Sequence, residues 1–344
     1  MQEFQLGSRK VGPSHPPLVV PEIGINHEGS FEKAIQMVDA AAEMGAEIVK
    51  FQCHITEDEM IPTDMKPGGI SDERLWDIIK RCEFTDDEEL RLKEYTESKG
   101  MIYLSTPFSR AAADRLENMG VLAYKIGSGE CNNFPLIEHI ARFGKPMIVS
   151  TGMNDLQSVR KTSEIIRDCG TAFAFLHCTS MYPTPYDKVR LGGITCLQEA
   201  FQETVIGLSD HSMGVWTCLG AVSLGACILE KHFTISRDWP GPDTGISIEP
   251  DELNDLIVGS AAIWQAGGGI KSILTEEKPV IDFAYASVVS IRNIKVGEEF
   301  SLENIWVKRP GTGPLLADRF DEILGKTAAR DIAPDKQLTP DDIV

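Results

Sequence analysis

The chain has few of the features that would place it outside the cytoplasm. Its eight cysteines are scattered along 344 residues and none forms a C-x-x-C pair, which predicts reduced, mostly buried thiols. Residues 1–11 contain no apolar core of the kind found in signal peptides, and no apolar run reaches the roughly 18 residues needed to span a bilayer. We therefore expect a cytoplasmic protein without a membrane partner.

Positive charge is also scarce. Lysine and arginine number 33 against 52 aspartates and glutamates, which gives a formal net charge of −19. This balance argues against nucleic acid or an anionic membrane surface as the main partner. A small anionic substrate is compatible with it only if lysines and arginines cluster at the binding site. The hydrophobic fraction of 42% predicts a sizeable core and argues against wholesale disorder.

Short apolar runs of strand character alternate with amphipathic stretches of helical character. The runs are rich in valine, isoleucine, phenylalanine and leucine, as parallel strands covered on both faces require. We predict strands over Leu18–Gly24, Glu47–Gln52, Met101–Ser105, Ala123–Ile126, Pro146–Ser150, Ala172–Cys178, Thr204–Leu208 and Cys227–His232. The helical stretches include Phe31–Met44, Asp86–Lys99 and Leu156–Cys169, the last preceded by a capping residue, Asp155.

Eight such βα units fit one closed (β/α)₈, or TIM, barrel better than two open sheets. A doubly wound α/β fold is the alternative, but it usually has a glycine-rich phosphate loop after its first strand. The corresponding segment, Glu22-Ile-Gly-Ile-Asn-His-Glu-Gly, matches that loop poorly. The sequence therefore favours the barrel.

The pattern changes after Ala266-Gly-Gly-Gly. Short alternating strands are predicted at Ala286–Ile291 and Asn304–Val307, with turns between them. This part is too small to be another half of a barrel. We predict a barrel domain over residues 1–266, a linker over 267–281 and a compact, mostly β domain over 282–344.

Two histidines end the last two predicted barrel strands. His211 closes the segment Ile206-Gly-Leu-Ser-Asp-His, and His232 closes Ile228-Leu-Glu-Lys-His. Side chains at the carboxyl ends of barrel strands face the active site, so the two imidazoles are expected to lie together. They could share one divalent metal ion, and Asp210 beside His211 favours this interpretation. The alternative is that both are ordinary hydrogen-bonded core residues.

The other predicted strands also end in polar residues. Lys50 and Lys125 lie inside apolar strands, where an unpaired charge is costly to bury, so we predict that they bind an anion. Glu22 and Glu130 are predicted to take part in the chemistry, although they could merely neutralise the lysines. Hydroxyl and glycine groups beside Lys125 and Ser150 suit a phosphate or a carboxylate. Three further histidines at strand ends are more often structural than functional: His27, His54 and His177.

Two lysines, nearby hydroxyls, a metal ion and two carboxylates suit the joining of a phosphorylated carbon nucleophile to an aldehyde. The metal would act as a Lewis acid on the aldehyde oxygen, and a carboxylate would handle protons. Two alternatives of a different class stay open. One is a retro-aldol lyase that uses Lys125 as a Schiff-base nucleophile, and the other is a carbohydrate-binding protein without catalytic activity.

Long motifs occur along nearly the whole chain. They are Glu22-Ile-Gly-Ile-Asn-His-Glu-Gly, Ser105-Thr-Pro-Phe-Ser, Tyr124-Lys-Ile-Gly-Ser-Gly-Glu-Cys-Asn-Asn-Phe-Pro-Leu, Ser150-Thr-Gly-Met, Tyr182-Pro-Thr-Pro-Tyr, Gly207-Leu-Ser-Asp-His, Leu229-Glu-Lys-His-Phe-Thr, Asp282-Phe-Ala-Tyr-Ala-Ser-Val-Val and Val307-Lys-Arg-Pro-Gly-Thr-Gly. In this order they resemble the bacterial N-acetylneuraminate (sialic acid) synthases of the NeuB family. The C-terminal part resembles the antifreeze-like SAF domain, a β-clip fold.

The resemblance implies that phosphoenolpyruvate, N-acetylmannosamine and water give N-acetylneuraminate and phosphate by C–O cleavage. It implies a divalent metal, Mn²⁺ with Mg²⁺ or Co²⁺ as alternatives, held by His211 and His232. Glu22 would manage protons or the metal-bound oxygen, and Glu130 would steady the reacting centre. Phosphoenolpyruvate would contact Lys50, Thr106, Lys125, Ser128, Ser150 and Tyr182, and the sugar would contact Gln52, Tyr182 and Asp243.

The resemblance also implies a domain-swapped homodimer, in which Arg309 of one SAF domain reaches the sugar site of the partner chain. Substrate contacts stay open where the chain departs from the family pattern, at Ser180 and in the segment Pro67-Gly-Gly-Ile-Ser-Asp; Tyr285 is a milder departure. The nearest alternative activity is the synthesis of a related nonulosonic acid, such as legionaminic acid from a 2,4-diacetamido-6-deoxy sugar.

Overall fold

The structure, a computed structural model, describes residues 3–68 and 71–344. The chain divides into two compact units, Met1–Gly268 and Gly269–Val344. Within the predicted substrate segment Pro67–Asp72, Gly69 and Ile70 lie outside the described residues. In the described part, no helix is both long enough and apolar enough to cross a membrane.

The first unit is built on eight parallel strands. In chain order the strands of the protein are β1 Phe4–Leu6, β2 Arg9–Val11, β3 Leu18–Gly24, β4 Ile48–Cys53, β5 Ile102–Pro107, β6 Tyr124–Ile126, β7 Met147–Ser150, β8 Phe173–Cys178, β9 Val205–Asp210, β10 Ile228–His232, β11 Ser287–Ser290 and β12 Ile305–Lys308. The hydrogen-bonded order of the eight is β5-β4-β3-β10-β9-β8-β7-β6, and the outer strands β5 and β6 lie side by side, which closes the sheet into a barrel. The predicted barrel is therefore confirmed and the doubly wound alternative is wrong.

Helices follow the barrel strands and cover the outside of the sheet. Some begin where the sequence supplies a cap: Asp155 accepts a hydrogen bond from the Ser158 backbone N–H at 2.8 Å, as predicted for the start of the helix that follows it. The helices are α1 Phe31–Glu43, α2 Thr56–Glu59, α3 Leu75–Cys82, α4 Asp86–Ser98, α5 Arg110–Asn118, α6 Phe134–Ala141, α7 Leu156–Asp168, α8 Tyr186–Val189, α9 Gly192–Ala200, α10 Trp216–Ser223, α11 Pro250–Ala266, α12 Lys278–Ala284 and α13 Phe320–Ile323.

The amino-terminal half of the barrel interior is an apolar core. Buried residues of the strands, such as Val20 and Ile148, pack in one cluster with Phe4, Leu6 and Val11 of the short β1–β2 hairpin. The hairpin therefore covers the amino-terminal end of the barrel. Because that end is filled with hydrocarbon, the polar residues of the strands are left to line the carboxyl-terminal end.

The second unit is a small β domain with its own core. Strands β11 and β12 pair antiparallel, with Ser287 opposite Lys308, and isolated bridges tie later segments to them. Val288, Phe300 and Leu338 are among its fully or almost fully buried core residues. The segment predicted as a linker, 267–281, contains a 3₁₀ turn at Thr275–Glu277 and the first residues of α12.

Candidate active site

One cavity of about 300 Å³ lies at the carboxyl ends of the barrel strands. Every site residue that the sequence predicted within the barrel lines it: Glu22, Lys50, Gln52, Thr106, Lys125, Ser128, Glu130, Ser150, Tyr182, His211, His232 and Asp243. They come together because parallel strands all end at the same side of the sheet. Their placement is thus observed, whereas their individual roles stay predictions.

Glu22 and Lys50 form a buried ion pair at the ends of β3 and β4. Glu22 Oε2 lies 2.6 Å from Lys50 Nζ without hydrogen-bond geometry, and Glu22 Oε1 accepts a hydrogen bond from Gln52 Nε2 at 3.0 Å. Lys50 Nζ also donates to Thr106 Oγ1 at 3.2 Å. Burial raises the pKa of Glu22, although Lys50 opposes the shift. The carboxyl group is therefore suited to holding or moving a proton.

Lys125 lines the cavity from β6. Its ammonium donates to Ser150 Oγ at 2.8 Å and to the Ile126 carbonyl at 2.9 Å, and it lies 3.6 Å from Glu230 Oε2. Burial lowers the pKa of Lys125, while Glu230 opposes this. Glu230 is itself buried, yet the two lysines of the cavity hold its pKa below the ordinary value. Each of the two lysines of the cavity thus lies near a buried carboxylate.

Hydroxyl groups converge beside Gly152. The Gly152 backbone N–H donates to Ser128 Oγ at 3.0 Å. A Cβ at this glycine would lie 2.4 Å from Ser180 Oγ and 2.8 Å from Ser128 Oγ, so only glycine admits both hydroxyls. Ser180 Oγ is buried and has no hydrogen-bond partner among the described residues. A ligand oxygen in the cavity would satisfy it.

The two predicted metal ligands lie side by side at the ends of the adjacent strands β9 and β10, with ring centroids 5.3 Å apart. His211 Nδ1 donates to the Thr179 carbonyl at 3.0 Å, so the neutral ring has its lone pair at Nε2. Burial alone would lower the pKa of His211, but Cys178 and the Thr179 carbonyl raise it. Nδ1 of His232 is buried without a hydrogen-bond partner in the described part of the chain and lies 3.8 Å from Asp243 Oδ2. Burial lowers the pKa of His232, which favours the neutral, ligating form.

These two imidazoles fit a divalent cation as a pair of protein ligands. In residues 3–68 and 71–344, no group of three or more histidines, cysteines, aspartates or glutamates is placed to hold a metal ion. A cation at this pair would therefore take its remaining ligands from water or substrate, as open catalytic sites do. That His211 and His232 bind a metal ion stays a prediction.

Asp210 does not line the cavity, although the sequence suggested that it might support metal binding. Successive residues of a strand point to opposite faces, so His211 and Asp210 point in different directions. Asp210 Oδ2 instead accepts hydrogen bonds from Lys231 Nζ at 2.6 Å and from Thr217 Oγ1 at 2.8 Å, below α10. The pair Asp210–Lys231 fixes the two strand ends that carry the histidines.

The remaining predicted residues lie elsewhere. His27 stacks on Phe84 with ring centroids 4.3 Å apart, and His177 bonds the Val189 carbonyl at 2.8 Å; both are buried. His54 does not line the cavity but contacts Gln52, which does. Arg309 belongs to the second unit, where it is exposed after β12. Its predicted contact with a sugar in the partner chain stays a prediction.

Sequence reasoning missed two strand residues of the cavity, Glu230 and Ser209. Ser209 Oγ donates to Glu230 Oε1 at 3.0 Å, and Glu230 Oε2 has no hydrogen-bond partner among the described residues. Strand alternation could have found both, because Glu230 lies two residues before His232 and Ser209 two before His211. Phe108 and Met153 complete the lining as apolar contacts.

The arrangement separates two kinds of chemistry. Lys50, Lys125 and the hydroxyls offer donors to an anion, whereas His211 and His232 offer lone pairs to a cation in the same cavity. Carboxyl groups line this cavity too, and burial raises the pKa of Glu22, of Glu130 and of Asp243, the last to about 6. Such a cavity can bind an anionic substrate, polarise an oxygen of a second substrate and transfer a proton between them.

The chain matches the NeuB family over residues 37–272 and the SAF domain over residues 285–344. It is 36% identical to the spore coat polysaccharide biosynthesis protein SpsE of Bacillus subtilis, across 100% of this chain and 98% of that protein. The N,N'-diacetyllegionaminic acid synthase of Campylobacter jejuni is 35% identical, across 93% of this chain and 98% of its own length.

A solved structure shares the fold. The crystal structure of N-acetylneuraminic acid (sialic acid) synthetase from Leptospira borgpetersenii, in complex with citrate, superposes with a TM-score of 0.74 at 33% sequence identity. The match covers 81% of this chain and 95% of that chain. The chain belongs to the NeuB family and carries a SAF domain after its barrel.

Proposed function

We propose that the chain condenses phosphoenolpyruvate with N-acetylmannosamine and water to give N-acetylneuraminate and phosphate. The observation that carries this proposal is the single cavity in which two buried lysines face two buried histidines. The lysines suit the anionic substrate, and the histidines suit a cation that binds a carbonyl oxygen. Relatives whose names describe synthases of nine-carbon acidic sugars support the same reaction class.

Phosphoenolpyruvate carries a phosphate and a carboxylate, so it needs concentrated positive charge in a chain whose net charge is −19. Lys50 and Lys125 supply this charge, and Thr106, Ser128 and Ser150 supply hydroxyl donors. Each lysine already lies near a carboxylate, at 2.6 Å from Glu22 and 3.6 Å from Glu230. The pocket is therefore kept assembled before the anion arrives.

When bound at His211 and His232, a divalent cation such as Mn²⁺ supplies Lewis-acid chemistry to a carbonyl group. The chain's own residues position the reactants. The third carbon of phosphoenolpyruvate bonds to the aldehyde carbon of the open-chain sugar, whose oxygen gains a proton from a carboxyl group of the cavity. Water adds at the second carbon and returns one proton to that carboxylate, a role we propose for Glu22. The C–O bond to phosphate then breaks, the new hydroxyl at the second carbon becomes the keto oxygen, and its proton leaves with the phosphate.

A second candidate is the synthesis of legionaminic acid from a 2,4-diacetamido-6-deoxy sugar. The observation that favours it is the 35% identity to the Campylobacter jejuni synthase across nearly both whole chains. Both activities would use the same lysines, histidines and carboxylates. The choice between them depends on the residues proposed to contact the sugar, Gln52, Tyr182 and Asp243, all of which line the cavity.

Phosphate release from phosphoenolpyruvate, measured with each sugar in the presence of Mn²⁺, tests the proposal. We expect turnover with N-acetylmannosamine, loss of turnover with EDTA and recovery with added Mn²⁺. Negligible turnover with N-acetylmannosamine but good turnover with the diacetamido sugar would replace the first candidate by the second. Activity that tolerates EDTA, together with borohydride trapping of a keto acid on Lys125, would favour the lyase instead. Sugar binding without phosphate release would indicate a carbohydrate-binding protein.

The proposed domain-swapped dimer places Arg309 at the sugar site of the partner chain. Arg309→Ala should then raise KM for the sugar more than KM for phosphoenolpyruvate. Lys308→Ala, one residue earlier and also exposed, is the matched control. Equal kinetics for the Arg309 variant and the unmodified protein would remove this assignment.

A further inference from the structure

We propose that His54 and Glu59 form a relay that orients the amide of Gln52, and through it the carboxylate of Glu22. The proposal rests on the proposed function for its kinetic consequence but not for its geometry. His54 and Glu59 touch no substrate in this scheme. They are positioning residues that act through a side chain of the cavity wall.

A continuous chain of hydrogen bonds joins these residues. Gln52 Nε2 donates to Glu22 Oε1 at 3.0 Å, and Gln52 Oε1 lies 3.0 Å from His54 Nε2. His54 Nδ1 lies 2.7 Å from Glu59 Oε2. The His54 side chain is 1% exposed and that of Glu59 is 11% exposed, so water does not compete well for these contacts.

The direction of the hydrogen bonds in the relay is fixed by the residues at its two ends. Glu22 is paired with Lys50 and presents carboxylate oxygens, so the nitrogen end of the Gln52 amide must face it. The oxygen end of Gln52 then faces His54 Nε2, which can donate to it when that nitrogen carries a proton. A turned amide would set its oxygen against a carboxylate and its nitrogen against the imidazole.

The contact of Glu59 with His54 Nδ1 determines what a proton on Nε2 requires. A neutral imidazole carries one proton, and a carboxylate at Nδ1 would attract it and leave Nε2 bare. The observed contacts therefore need one more proton, held between His54 and Glu59. With this proton present, the Nε2–H group of His54 faces Gln52, whether His54 or Glu59 carries the additional proton. The ring is held in place by stacking on Phe108, with centroids 4.5 Å apart and planes 14° apart.

The backbone conformation at the end of β3 leaves room for the hydrogen bonds of the relay. The register between β3 and β4 shifts after Glu22, as in a β-bulge, and Gly24 has φ of +54°. A Cβ at Gly24 would lie 3.0 Å from Glu22 Oε1 and 3.2 Å from Gln52 Nε2. The glycine therefore leaves room at the hydrogen bond that the relay orients.

Kinetics of the full chain test the role of the relay. His54→Phe keeps an aromatic ring against Phe108 but removes both nitrogens, and should lower kcat by about tenfold to a hundredfold without changing KM for phosphoenolpyruvate. His54→Gln returns an N–H near the position of Nε2 and should restore much of kcat. His139→Phe is the matched control: His139 also contacts a carboxylate, Asp114 at 2.6 Å, and a phenylalanine, Phe143, but outside the cavity.

A double-mutant cycle separates positioning from general damage. Gln52→Ala removes the group through which His54 acts, so His54→Phe in that background should cause little further loss of kcat. A full additional loss in the double variant would overturn the relay. So would an unchanged kcat in His54→Phe, or a loss that His54→Gln leaves unrepaired in a protein with unaltered circular dichroism.

NMR of the protein with ¹⁵N-labelled histidine tests the geometry without turnover. We expect the His54 resonances to show a proton on Nε2, and a neutral ring with a bare Nε2 would overturn the proposal. If no sugar supports phosphate release, the proposed function fails, and this measurement alone decides whether the relay exists. A protonated Nε2 that is lost in His54→Gln and retained in His139→Phe assigns the signal.

Discussion

The ion pair between Asp210 and Lys231 is predicted to be among the most stability-critical contacts of the barrel unit. Both side chains are at most 1% exposed, and the charged atoms lie 2.6 Å apart. Asp210 Oδ2 also accepts hydrogen bonds from Ser212 Oγ at 2.9 Å and Thr217 Oγ1 at 2.8 Å. Burial by itself would raise the pKa of Asp210, but Lys231 and these hydroxyls hold it below its usual value.

The size of the effect follows from removing one charge at a time. At 2.6 Å the direct attraction is about 6 kcal/mol for an effective dielectric constant of about 20, and the desolvation of both ions offsets much of it. Asp210→Asn leaves the Lys231 ammonium buried without a counter-charge, which should lower the free energy of unfolding by about 3–5 kcal/mol. Lys231→Met should cost less, because the Asp210 carboxylate keeps its hydroxyl donors.

Urea unfolding followed by far-UV circular dichroism measures both changes and their combination. The double variant should be more stable than the sum of the single losses predicts, by at least about 2 kcal/mol, because neither charge is then left alone. Lys80→Met with Glu57→Asn provides the control cycle, since this 2.9 Å pair is exposed and should contribute little. Additive losses at positions 210 and 231, or losses as small as those of the control, would refute the reasoning.

Three further predictions concern the pH response, the β-bulge and the barrel floor. Burial lowers the pKa of His27 to about 3. Below pH 6.5 the unfolded chain therefore binds a proton that the folded chain does not, and the free energy of unfolding should fall by about 1.4 kcal/mol per pH unit. In urea titrations, His27→Asn should lessen the loss of stability between pH 7 and pH 5 by about 2 kcal/mol, and equal losses in the two proteins would contradict this. Gly24→Ala should cost about 1–2 kcal/mol of stability and lower kcat further than the unfolded fraction explains; normal kcat would show that the bulge is not coupled to Glu22. Leu6→Ala, at a fully buried position of the hairpin, should cost about 2–5 kcal/mol with kcat unchanged in the folded protein, and a fall in kcat would mean that the two barrel ends are not independent.

The barrel was predictable because its strands are short and buried on both faces. Leu18–Gly24 of β3 is buried at every position, so its apolar run could be read directly from the sequence, and its bounds were predicted without error. The rule that functional side chains gather at the carboxyl ends of parallel strands then brought distant residues such as Lys50, Lys125 and His232 to one place. The resemblance to a known family was needed for the others, among them Tyr182 and Asp243, and Asp243 lies beyond the end of β10.

The tertiary contacts of those residues could not be predicted from the sequence. The β1–β2 hairpin has strands of only three residues each, too short to give a periodic signal, yet it closes the floor of the barrel. The contact between Lys125 and Glu230 joins strands β6 and β10, which lie more than a hundred positions apart in the chain and are not neighbours in the sheet. Such pairings depend on the closure of the barrel and on side-chain reach, neither of which periodicity records.

The alternation of side chains along β9 and β10 explains how two adjacent strands carry both the cavity residues and a buried ion pair. Ser209 and Glu230 point into the cavity, as do His211 and His232 two residues later, whereas the residues between them point to the opposite face. There Asp210 and Lys231 are partners in the strand register and join their charges below α10. Each histidine is therefore bonded in sequence to one member of a buried ion pair. A change on the outer face should displace both imidazoles together, and a change in the cavity should leave the ion pair intact.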